Sequence, residues 1–166
     1  MYSHKRVLVA LDGSTACEAV LRFLLQIAGP LDMTVLLLHV LEPIPPQVTD
    51  GTQHVVVDDV EARRQAAEEY LAPIAAALRS RGVDTAWAIR RGRPAEEILD
   101  GARESGADLI VMSSHGRSGV SRLVLGSVAE SVLRATAVPI LLIRPHGAPL
   151  DTPFMGAPSA KEIANV

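Results

Sequence analysis

Several things this chain lacks narrow what it does. It has a single cysteine, Cys17, which excludes an internal disulfide and any multi-cysteine metal site. Lysine is almost missing: Lys5 and Lys161 are the only two, the arginines are scattered, and the net charge is -3. A duplex nucleic-acid binder would instead need a basic stripe to displace counterions. The longest apolar run, "MTVLLLHVL", falls far short of the roughly 20 residues that span a bilayer as a helix. There is no Gly-Lys-Ser or Gly-Lys-Thr, so the lysine clamp of the Walker A phosphate loop is missing. No second carboxylate stands beside Asp12 in sequence to build a two-metal site. A charged-then-apolar leader is also missing from the first residues, which leads us to expect a soluble cytoplasmic protein.

What is present reads as one globular domain. With 166 residues, 48% of them apolar and 21% charged, the chain can bury a full core but not two comfortable ones. Strand-like and helix-like patterns alternate along it. "RVLVALD" (6–12) is a β-rich run ending at Asp12-Gly13. A helix follows, capped by Ser14 or Thr15; Thr15 with Glu18 fits a capping box. Val20, Phe23, Leu24 and Ile27 form its expected buried stripe, and Gly29-Pro30 stops it. "MTVLLLHV" (33–40) is apolar on both faces, as a central parallel strand requires. The irregular segment 41–57 leads to a long helix opened by Asp58 or Asp59, with Ala67, Leu71, Ile74 and Leu78 on one face and a kink expected at Pro73. Strands are then expected at 83–90, 107–112 and 138–144, with helices from Pro94 and over Ser127–Ala135. Five strands with helices between them imply a parallel sheet covered on both faces. Past Arg144 the composition turns rich in Pro, Gly and Ala, so we expect a domain over 1–144 and a tail over 145–166.

Two loops are equipped to hold a ligand beyond the carboxyl ends of such strands, where open α/β sheets bind. One is "LDGS" after the first strand. The other, "SSHGRSGVSRLVLGS", carries Gly116, Gly119 and Gly126 between the fourth strand and the helix opening at Ser127. Glycines let backbone amides approach a ligand with no Cβ in the way. The first amides of a helix, at the positive end of its dipole, favour an anion. A structural alternative competes with this: Ser127 with Glu130 fits a capping box that satisfies the helix start without any ligand.

These motifs, with "VLVALDGS" and "LLLHV", resemble the universal stress protein family, across residues 5–144. ATP-binding members of that family carry Gly, two residues, Gly, nine residues, then Gly-Ser or Gly-Thr. Gly116, the nine residues Arg117 to Leu125, and Gly126-Ser127 match that pattern. The resemblance implies a Rossmann-like α/β fold, with an open five-stranded parallel sheet of order 3-2-1-4-5. It also implies an ATP-binding regulator of the stress response, with ADP or AMP as alternative occupants and Mg²⁺ as a companion ion. On that basis Asp12 would hydrogen-bond the ribose, and the backbone near Ala10 and Val40 would frame the adenine. Gly116, Gly126, Ser127 and the Val128 amide would cradle phosphate. Met112, Ser113 and His115, at the end of the fourth strand and in its loop, complete the candidate set. The resemblance further implies a homodimer built through the apolar edge strand 138–144, an arrangement an uncovered edge invites.

One residue departs from the pattern. Ser113 replaces the first motif glycine, at a cost of about 1 kcal/mol or more if that position needs a positive φ. Its hydroxyl could instead donate to a ligand. Other candidates divide between chemistry and structure. Arg117 and Arg122 suit phosphate or bulk solvent, His115 suits phosphate or a local hydrogen bond, and His39 suits packing. Cys17, on an early helix turn, is either a lowered-pKa thiol or a small buried residue. "IRRGRPAEE" is either a second anion site or a solvated turn. Two rivals to the switch remain open: a slow ATPase or phosphoryl transferase on the same site, and a dimeric scaffold whose pocket Ser113 leaves empty.

Overall fold

Residues 5–44, 59–114 and 125–144 are described by the computed structural model. Nine elements alternate along them: β1 (Lys5–Ala10), α1 (Thr15–Ile27), β2 (Met33–Leu41), α2 (Val60–Arg79), β3 (Asp84–Arg91), α3 (Pro94–Ser105), β4 (Leu109–Ser113), α4 (Ser127–Ala135) and β5 (Ile140–Ile143). All pairings are parallel, and the strand order is β3-β2-β1-β4-β5. The strands alternate side chains between two cores. Val7, Val9, Val35, Leu37 and Val111 pack with residues of α1 and α2, whereas Leu8, Ala10, Leu38, Ile110 and Met112 pack with residues of α3 and α4. Burial on both faces explains why the central strands read as unbroken apolar runs.

Local sequence sets the helix ends. Ser14, not Thr15, caps α1: its Oγ accepts from the Cys17 amide at 3.2 Å, and Thr15 is already helical. Thr15 and Glu18 therefore do not stand at the N-cap and N3 positions that a capping box needs. Asp59 caps α2 through the Ala62 amide. Pro94 opens α3 with Glu96 and Glu97 in its first turn, and Gly106 closes it at φ 62°. That helix packs close to the sheet at Gly101, where a Cβ would stand 3.2 Å from Leu38.

The helix faces differ from expectation in one place. α1 buries Cys17, Val20, Leu21 and Leu24, with its C-cap Ala28, while Phe23 is 38% exposed and Ile27 only half-buried. At about 100° per residue, Phe23 lies about 120° round from Cys17 and so faces outward. α2 buries Ala67, Leu71, Ile74 and Leu78 as expected, with Tyr70 added. It runs through Pro73, which sits on the exposed side beside exposed Glu69. The Glu69 carbonyl that Pro73 deprives of a donor can therefore bond water.

Candidate functional site

β1 and β4 are neighbours, with Ala10 opposite Met112. Counting two residues on from each, Asp12 and Ser114 leave the carboxyl edge of the sheet at the same level. The chain turns there at Gly13, whose φ of 81° suits glycine. The Asp12 carboxylate folds back to accept from the Ser14 amide at 2.9 Å. The Cys17 thiol lies against that carboxylate, and burial, with the Asp12 charge second, pushes it up to about 12. It is the reverse of an activated thiol, and Cys17 is a buried core residue.

At the end of β4, the Gly126 amide donates to the Ser114 carbonyl at 2.9 Å. This one bond closes the glycine loop at its base and fixes the start of α4 beside the end of β4. Gly126 itself is the N-cap of α4, with no side-chain hydrogen bond to the helix start. The alternative Ser127–Glu130 capping box is absent for a plain reason. Ser127 is already the first helical residue, and the Glu130 carboxylate pairs with Arg134 at 2.7 Å. The amides of Ser127, Val128 and Ala129 precede the first intrahelical acceptor position, since the Glu130 amide is the first to reach back, to Gly126. Such a terminus favours negative charge by roughly 0.3–1 kcal/mol.

The apolar candidates fall together. Ala10 and Met112 are buried in the core under α3 and α4, and half-buried Val40 and Val128 pack against the same cluster with Leu125. Together they belong to the core cluster on the face of the sheet that α3 and α4 cover. Ser113 is the last residue of β4, buried and in register with Ile143. Its φ is not positive, Asp32 being the only such non-glycine residue among those described. The backbone penalty that a positive φ would impose on serine here therefore does not arise. His115, Gly116, Gly119, Arg117 and Arg122 lie outside the described residues, as does most of 41–57.

Two arginines of the arginine-rich turn are paired with carboxylates. Arg90 reaches Glu97 at 2.6 Å and Glu104 at 2.8 Å, and Arg93 reaches Glu96 at 3.0 Å. The Arg90 guanidinium holds the Glu104 carboxyl below its usual range. A depression of about 180 Å³ lies at the opposite end of the sheet, lined by Ala28, Asp32, Met33, Thr34, Gly82 and Asp84. Its two aspartates disfavour an anion. Among the described residues no three His, Cys, Asp or Glu gather to hold a metal ion, and no helix is long and apolar enough to cross a membrane.

One feature of this edge was not visible in the sequence: His39 is a hydrogen-bonding residue as well as a packed one, its Nδ1 meeting the Leu11 carbonyl at 2.9 Å. The adjacent "LDGS" signalled a turn, but nothing signalled that a second strand would hold it.

Comparison with known proteins agrees with this fold. A family model described as the universal stress protein family matches residues 3–144. Universal stress protein YxiE of Bacillus subtilis is 31% identical over 145 residues, covering 84% of this chain and 98% of YxiE. The crystal structure of a universal stress protein family member from Burkholderia pseudomallei aligns with a TM-score of 0.65 at 30% identity, over 84% of this chain and 96% of that one. A family protein from Arabidopsis thaliana, solved with AMP bound, shares the fold with a TM-score of 0.61 at 20% identity, over 86% of this chain and 93% of its own.

Proposed function

The chain belongs to the universal stress protein family, and from that premise we propose that it is an adenine-nucleotide-binding regulator whose ligand, ATP in the first instance, lies across the β1–β4 crevice. The observation that carries this reading is the Gly126–Ser114 bond, which sets a helix start without a side-chain cap one strand away from Asp12. Phosphates would take the amides of Ser127 and Val128, with Gly116 in the loop. The adenine would rest near Ala10, Val40 and Met112, whose apolar surfaces suit a flat ring. Asp12 would accept from the ribose hydroxyls. A carboxylate has about four lone-pair sites, and the bond to Ser14 takes one of them. Mg²⁺, where present, would accompany the phosphates. The solved Arabidopsis family protein with AMP supports an adenine nucleotide as the ligand class.

Occupancy there would change the shape of the glycine loop and of segment 41–57, making the protein a switch in the stress response. We further propose that two chains pair through β5, an edge strand of four half-buried apolar residues. Residues 145–166 would form an arm outside the nucleotide domain, in a protein working in the cytoplasm.

The test is calorimetric titration of ATP, ADP and AMP into the wild type and Asp12→Ala. Loss of a carboxylate hydrogen bond to ribose predicts about a tenfold or greater loss of affinity. Equal affinities would remove Asp12 from the site, and no heat with any nucleotide would end the reading.

A further inference from the structure

Leu11 is the first residue beyond β1, and β2 holds both of its backbone groups. Its amide donates to the Leu38 carbonyl at 2.9 Å, and its carbonyl meets His39 Nδ1 at 2.9 Å. A carbonyl only accepts, so Nδ1 carries the proton. The imidazole is 2% exposed, with its ring edge-on to Tyr70 at a centroid separation of 6.3 Å. A buried side chain at the end of β2 therefore grips the peptide immediately before Asp12.

We propose that His39 is the positioning residue of the nucleotide site, acting through the Leu11 carbonyl to fix the Asp12 carboxylate for the ribose. This rests on the reading of the crevice given above. Beyond Leu11 the chain turns at Gly13, the residue type with the most backbone freedom. The peptide entering that turn thus needs an external anchor if Asp12 is to keep one orientation. Ser14 fixes the far side of the turn as the cap of α1, and His39 fixes the near side. Sugar recognition then depends on a residue that touches no ligand.

The test compares His39→Leu, which keeps bulk and removes the donor, with His39→Asn, whose amide nitrogen stands near the position of Nδ1. Each is titrated with ATP and with 2′,3′-dideoxy-ATP, which has no hydroxyls for Asp12. His39→Leu should lose about five- to tenfold in ATP affinity while its dideoxy affinity stays within twofold, and His39→Asn should restore most of the difference. Equal weakening of both nucleotides, or identical behaviour of the two variants, would overturn the proposal. Two measurements need no ligand. Imidazole ¹⁵N shifts of the wild type should show a protonated Nδ1, and Ser14 amide exchange should accelerate at least fivefold in His39→Leu. A neutral ring protonated at Nε2, or unchanged exchange, would overturn the anchor whatever the binding result. A wild type that binds no nucleotide while its exchange follows His39 would instead retire the site reading and leave the anchor standing.

Discussion

At Cys17 burial and the Asp12 carboxylate push the thiol in the same direction, from near 9 up to about 12. Below pH 9 the thiol is neutral in both folded and unfolded chains. Between pH 9 and about 12 only the unfolded chain ionises it, so the stability that Cys17 contributes is lost across that window. Urea unfolding should therefore weaken more steeply from pH 9 to 11 in the wild type than in Cys17→Ala. Thiol reagents at pH 8 should label only denatured protein. Ser113 gives a second test. As an ordinary strand residue it has no strain to relieve, so Ser113→Gly should cost about 0.5–1 kcal/mol and lower Tm by a few degrees. Gly13 is the contrasting position: at φ 81° an alanine should cost about 1 kcal/mol or more. The turn at Asp12-Gly13 was legible because those residue types favour turns. The role of His39 was not, because a hydrogen bond across 28 positions leaves no local pattern.

Helix α4 spans Ser127–Ala135 as the sequence reading has it, but its capping box does not form. Ser127 and Glu130 have the residue types of a capping box, but the helix begins one residue too early for them to act as one. The start is set by the tertiary bond from Gly126 to Ser114, which the capping pattern does not encode. Phe23 failed for a related reason, since an apolar side chain about 120° off the stripe centre still looks periodic over one turn. Element type and order were legible throughout, because strands buried on both faces and helices with Pro or Gly punctuation leave strong signals. The bare N-cap also carries a test with opposed readouts. Gly126 sits at φ -62° and ψ 146°, which aspartate adopts freely. Gly126→Asp should stabilise the fold by about 0.5–1 kcal/mol through a new side-chain cap and the dipole. The same carboxylate should weaken ATP binding at least tenfold by occupying the phosphate amides. Thermal melts and calorimetry on one sample read both effects.

For the molecule as a whole, strand order is what brings the two loops together. Only an order that sets β1 beside β4 puts Asp12 and Ser114 at one level, and the parallel register from Ala10 to Met112 supplies it. The same order leaves β5 at an edge, so light scattering at micromolar concentration should give twice the 17.7 kDa chain mass; a monomer would remove the dimer proposal. The central claim, that adenine nucleotide occupies the carboxyl edge of the sheet, is tested most directly by mapping amide chemical shifts during titration with ATP. Saturable shifts should concentrate at 10–14, 112–114 and 126–129, leaving 28–34 and 82–84 at the far end unmoved. Shifts centred on that far end, or none at millimolar ATP, would contradict it.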